Sequence, residues 1–103
     1  MIYKEYREID GQTYEVKLYY TLGGWNHFTS QEERRGYYLS VTPAQVNFDD
    51  EGNVVSRTTR MFSGVKELLV EVTRKSKKRE EEALSMVTTE RINKLLEHIG
   101  VTA

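Results

Sequence analysis

The clearest pattern in the chain is a strict alternation over residues 13–20. Tyr14, Val16, Leu18 and Tyr20 fall on one side, and Thr13, Glu15, Lys17 and Tyr19 on the other. Successive side chains of a strand point to opposite faces, so this stretch reads as a strand with one buried face. Residues 2–9 form a weaker partner, joined to it through Asp10-Gly11, a dipeptide suited to a two-residue hairpin turn. Residues 37–42 alternate again, with Tyr37, Leu39 and Val41 against Tyr38, Ser40 and Thr42. Pro43 has no N–H to give to a ladder, so it is expected to end this strand or to place it at an edge. The polar run 49–53 separates 46–48 from 54–62 and predicts a second hairpin. A short fifth strand over 25–29 is a further expectation.

From residue 65 the spacing changes. Val65, Leu68, Leu69 and Val72 recur at helical intervals and predict a helix that starts just after Ser63-Gly64. The same stripe continues to Ser76, Arg79 or Glu80, Ala83 and Val87, so its apolar face is interrupted midway. Such a helix either projects past the sheet or bends near Ser76. A second helix is expected after Thr88 or Thr89, with Glu90 in the first turn, where the dipole favours an anion. Ile92, Leu95, Leu96 and Ile99 form its stripe, and Gly100 suits the position just past its end. All eleven aromatic residues lie within the first 62 positions. Strands followed by helices define an α+β class: an antiparallel sheet of four to five strands, then two C-terminal helices packed on one face. A composition shift can also mark a domain boundary, but residues 65–103 are too few to fold well alone. The chain therefore reads as a single domain over 1–103, strand-rich over 1–64 and helical over 65–103.

Composition narrows the function. The chain has 103 residues, 38% hydrophobic and 30% charged, with a mean hydropathy of -0.65. That is the profile of a soluble globular domain rather than a disordered one. No apolar run approaches the ~20 residues of a membrane span, and the N-terminal residues lack a signal-peptide core. No membrane partner is expected, and the cytoplasm is the expected location. Without cysteine there is no disulfide or thiolate site. Fifteen basic against sixteen acidic residues give net -1, so the whole chain has no general attraction for polyanions. The two histidines, His27 and His98, have no neighbour at metal-ligand spacing. Carboxylate runs fall in turns or on a polar helix face, and no phosphate-cradling glycine loop is present. No enzyme activity, metal or cofactor is expected.

Two segments could carry binding. Residues 74–79 read Arg-Lys-Ser-Lys-Lys-Arg. On the predicted first helix, Arg74 and Lys78 sit opposite the apolar stripe with Lys75 and Lys77 beside them, a basic ridge of the kind phosphates contact. The same residues can equally be a solvated face, since Glu71–Lys75, Lys77–Glu81 and Lys78–Glu82 are spaced to pair. Residues 21–36 hold Gly23-Gly24, Trp25, His27, Phe28 and Arg34-Arg35. An exposed loop of that make-up is a contact surface, and the arginines could grip a carboxylate or phosphate. Alternatively, the segment is a hairpin whose Trp25 and Phe28 pack in the core. Tyr19 and Tyr38 lie on the polar side of their strands, where they either stack bases or pair with each other across strands.

The run Gly23-Gly24-Trp25-Asn26-His27-Phe28-Thr29, the run Arg35 through Pro43, Phe62-Ser63-Gly64 and Arg74-Lys75-Ser76-Lys77-Lys78 together resemble small accessory proteins carried by bacterial phages and conjugative elements. The resemblance covers most of residues 14–79 and brings no assigned functional residues with it. Proteins of that setting include anti-CRISPR inhibitors, which act by binding a host effector. By that analogy the resemblance implies a non-enzymatic inhibitor of a host defence nuclease, its partner a CRISPR nuclease or its guide complex. Trp25, His27, Phe28, Arg34 and Arg35 would make the contact. The competing expectation is a sequence-nonspecific nucleic-acid-binding accessory protein using Arg74, Lys75, Lys77 and Lys78. A homodimer through a sheet edge is also open.

Overall fold

Asp10 and Gly11 take φ of 51° and 80°, the two positive values that the tight hairpin turn requires. They join β1 (Tyr3–Ile9) to β2 (Gln12–Thr21) in an antiparallel ladder running from Tyr3↔Leu18 to Ile9↔Gln12. The computed structural model describes residues 2–27, 30–59 and 64–100. After β2 the chain makes a short excursion, β3 (Gly24–Asn26) and β4 (Gln31–Glu33), before the long central strand β5 (Gly36–Phe48). β5 pairs back along β2 from Gly36 to Ala44. Its other side carries β6 (Val54–Thr59) against residues 44–48 and β7 (Val65–Glu71) against residues 36–41. Among the described residues this makes a five-stranded antiparallel sheet in the order β1-β2-β5-β6, with β7 also on β5. Two helices follow, α1 (Lys77–Ser85) and α2 (Thr89–His98), packed on one face of the sheet. The class is α+β, as the element order implied.

Pro43 neither ends β5 nor places it at an edge. The Arg35 carbonyl accepts from Val72 N–H at 3.1 Å, on the β7 side. Backbone polar groups alternate sides along a strand, so residue 43 turns its nitrogen to that side as well. There the β7 pairing has stopped at Val41 and the β6 pairing starts at Ala44. The proline thus occupies the gap between two partner strands, where no donor is needed.

The helix expected from residue 65 is the strand β7. Its ladder with β5 slips between Tyr37 and Tyr38, whose partners are Val70 and Leu68, which leaves Leu69 as an extra residue. A bulge of this kind puts two neighbouring residues on the same side of the sheet. Val65, Leu69, Val70 and Val72 all pack toward the helices, and Glu67 between them meets Arg91 of α2. The broken alternation imitates a helical stripe. The strand-rich region therefore extends past Gly64 to Glu71, and the helical region begins at Lys77. Ser76, read as a bend, is the N-cap of α1, its hydroxyl accepting from Arg79 N–H at 3.2 Å.

The second hairpin forms as expected. Asp49 closes its turn by accepting from the backbone N–H groups of Glu51 and Asn53. Residues 60–62 of the anticipated strand lie outside the described residues. α2 also matches: Thr88 caps it by accepting from Arg91 N–H, and Glu90 stands in its first turn. Ile92, Leu95 and Leu96 bury against Tyr14, Val16, Leu39 and Val41, with Ile99 at the margin. A second cluster joins Leu18, Tyr37, Val70 and Ala83. Ala83 is the buried residue of α1. Each fully buried Leu, Val or Ile side chain in these clusters contributes roughly 1.5–3 kcal/mol.

Candidate functional site

The excursion between β2 and β5 is a small hairpin of its own. β3 pairs with β4 through Gly24↔Glu33, Trp25↔Glu32 and Asn26↔Gln31, and forms a sheet separate from the main one. Its base is narrow. Gly23 has φ of 79°, and a Cβ there would stand 2.7 Å from the Glu33 carbonyl and 2.8 Å from the Arg35 nitrogen, so the two legs cross where a side chain has no room. Because the hairpin leaves the sheet, Trp25 is 59% exposed and Leu22 is 68% exposed. Of the two readings of Trp25, core packing is the one the structure rejects. His27 is exposed at the hairpin tip. Phe28 lies outside the described residues.

The two arginines have different surroundings. Arg34 is largely exposed and places Nη1 3.1 Å from a Glu71 carboxylate oxygen. Arg35 is a clasp. Its Nε donates to the Leu22 carbonyl at 3.2 Å and its Nη1 to the Thr73 carbonyl at 2.6 Å. Arg35 thereby ties the hairpin base to the segment that leaves β7, and its guanidinium is engaged with the chain's own backbone.

The basic ridge does not form as a helix face. Arg74 and Lys75 lie in the connection between β7 and α1, and only Lys77 and Lys78 are helical. They stand in the first turn of α1, where the dipole disfavours cations. Tyr37 holds this connection from below. Its buried hydroxyl donates to the Ser76 carbonyl at 3.0 Å, and that hydroxyl also accepts from Ser76 N–H at 3.3 Å. Lys75 lays its ammonium over the Tyr20 ring, 5.7 Å from its centre. All four cations are exposed, and none has a carboxylate partner among the described residues. Thr21, Gly36 and Glu71 are register neighbours at one end of the sheet, and both candidate segments leave from that end. The structure thus brings together two groups of residues that are some forty to fifty positions apart in sequence.

On the helix-free face, the Tyr19 and Tyr38 rings stack at 5.8 Å with an 18° tilt. Lys17 lies over Tyr19 and Lys66 over Tyr38, at 5.0 and 5.4 Å. Burial, then the neighbouring Tyr38, raises the Tyr19 hydroxyl above its ordinary value. Burial holds the Lys66 ammonium below its own, while that ammonium also pairs with Glu33 at the hairpin base. Tyr38 is only 6% exposed, and its hydroxyl donates to the Arg34 carbonyl at 2.8 Å. These rings are occupied by each other and by lysines, which is the structural use rather than an open stacking platform.

Sequence reasoning missed two features. Leu22 is exposed three residues before Trp25, and no pattern in the sequence singles it out. At the opposite end of the sheet, a half-open cleft of about 550 Å³ lies between the β1–β2 and β5–β6 turns, lined by Tyr6, Gln12, Val46, Phe48 and Arg57 among others. The Arg57 guanidinium stacks 4.4 Å from the Tyr6 ring centre, a contact between strands that are not neighbours. Among the described residues no group of three or more histidine or carboxylate side chains converges as a metal site would require. No described helix is long and apolar enough to cross a membrane. Comparisons with protein-family models, with curated proteins and with solved structures found no match.

Proposed function

We propose that this chain is a non-enzymatic interaction protein that binds a partner protein through the β3–β4 hairpin, with Trp25 as the anchor. One observation carries this reading: the chain's single tryptophan stands 59% exposed on a hairpin that leaves the sheet. An exposed indole is costly to leave in water, and burying one in a partner's recess contributes about 2 kcal/mol or more. Arg35 ties the hairpin base to the Leu22 and Thr73 carbonyls, which lowers the conformational entropy lost on docking. The resemblance to accessory proteins of phages and conjugative elements makes a host defence nuclease the partner to test first, with the protein acting as a stoichiometric inhibitor.

The second reading, sequence-nonspecific nucleic-acid binding, is favoured by the four exposed cations, which have no carboxylate partner among the described residues. A tagged pull-down from a bacterial lysate, split into nuclease-treated and untreated halves, separates the two. Retention of a discrete protein after nuclease treatment, lost on Trp25→Ala, supports the first reading. Recovery only in the untreated half, with a salt-sensitive gel shift weakened by Lys77→Ala and Lys78→Ala, replaces it with the second.

A further inference from the structure

Arg35 joins two surfaces that are separate in sequence, and the joined surface has a definite chemistry. The Leu22 and Thr73 carbonyls share one guanidinium. On one side of that clasp, Leu22 and Trp25 expose apolar surface three residues apart, at most roughly 10 Å along the chain. On the other side Arg74 follows Thr73 directly, then Lys75, with Lys77 and Lys78 at the start of α1. Among the described residues no ion pair joins these four to a carboxylate: Glu71 pairs with Arg34 and Glu82 with Arg79, and Glu80 and Glu81 follow further along α1. The Arg35 clasp thus holds the base of the hairpin that carries the exposed Leu22 and Trp25 beside a segment of four cations with no ion-pair partner among the described residues, on a chain whose net charge is -1.

We infer that the partner of this hairpin presents an acidic protein surface beside an apolar recess: the recess takes Trp25 and Leu22, and the acidic border faces Arg74, Lys75, Lys77 and Lys78. This rests on the interaction reading above and adds to it the chemistry of the partner. Unpaired cations at the rim of an apolar contact steer an oppositely charged surface and set which partner docks. A nucleic-acid strand fits less well. A phosphate backbone calls for a continuous positive track, whereas Glu32 stands directly opposite Trp25 in the hairpin register and the run Glu80–Glu82 follows the cations.

The test uses the full chain as bait for a nuclease-treated bacterial lysate, in four forms: unchanged, Trp25→Ala, Arg74→Glu with Lys75→Glu, and Lys94→Glu as an exposed control on α2. Affinity for the retained protein is then measured at low and at near-physiological salt. The charge-reversed form should bind about tenfold or more weaker at low salt, and the loss should shrink as salt rises. Trp25→Ala should cost roughly thirtyfold, and Lys94→Glu should change nothing. A complex that needs Trp25 but ignores both charge reversal and salt overturns the acidic-partner inference while the interaction reading stands. No retained protein, or retention indifferent to Trp25, overturns both. A short oligothymidylate that quenches Trp25 fluorescence in a salt-sensitive way, with the charge-reversed form silent, reassigns the surface to nucleic acid.

Discussion

β7 and α2 carry the same apolar signature. Val65, Leu68, Leu69 and Val72 have the spacing of Ile92, Leu95, Leu96 and Ile99, yet one segment is a strand and the other a helix. The difference lies outside the stripe. α2 has a capping hydroxyl at Thr88, an acid in its first turn and Gly100 at φ 83° just past its end, so local signals agree with the apolar period. No glycine follows the end of β7, and two of its three inward apolar residues, Val65 and Val70 beside Leu69, are valines, which favour a pleated surface. Its inward set is interrupted by the bulge at Leu69. Apolar spacing identifies a helix only when its ends agree.

The contrast can be tested from both sides. Leu96 is fully buried between α2 and the sheet, so Leu96→Ala should lose about 2–5 kcal/mol in urea denaturation. Val70→Ala raises helical propensity and should still cost roughly 1–3 kcal/mol, because Val70 fills space on the sheet. A neutral or stabilising result there would mean that residues 65–71 are not a strand. Thr88→Ala should cost about 1 kcal/mol through loss of the cap. Arg91 links the two elements through Glu67 and also donates to the Met86 carbonyl at 3.0 Å. Because the pair is about one-third exposed, Arg91→Ala should cost about 1 kcal/mol or less, and less at high salt.

β1 sharpens the contrast through pH, since on the same face of the sheet it brings polar groups where β7 and α2 bring apolar ones. Burial pushes the Glu5 carboxyl upward, but hydrogen bonds from Tyr3 (2.6 Å) and Arg7 (2.8 Å) outweigh it and leave Glu5 below its ordinary 4.5. A depressed carboxyl favours the folded state above that ordinary value and loses its contribution as pH falls through the lower folded value. Stability should therefore decline with acid below pH 4.5, and Glu5→Gln should flatten that decline in denaturation curves. An unchanged acid limb would remove Glu5 from this role.

Much of the candidate site was legible residue by residue, but its assembly was not. Trp25, Arg34, Arg35, Arg74 and Lys75 stand out by type. Whether Trp25 faces the core depends on whether β3 joins the main sheet, and no local pattern encodes that. The role of Arg35 as a clasp depends on carbonyls at Leu22 and Thr73, positions that carry no side-chain signal of their own.

By itself, the sequence determined the β1–β2 turn through Asp10-Gly11, the buried faces of β2 and β5 through strict alternation, the 49–53 turn, and α2 with both its ends. Each follows from interactions between residues a few positions apart. Long-range pairing is what makes residues 65–71 a strand, seats Pro43 in the gap between β6 and β7, and puts the tryptophan hairpin and the 74–78 cations at one end. Those outcomes depend on which distant strand satisfies which backbone donor. Partner choice is set by the packing of the whole sheet, and no local stretch of the chain encodes it.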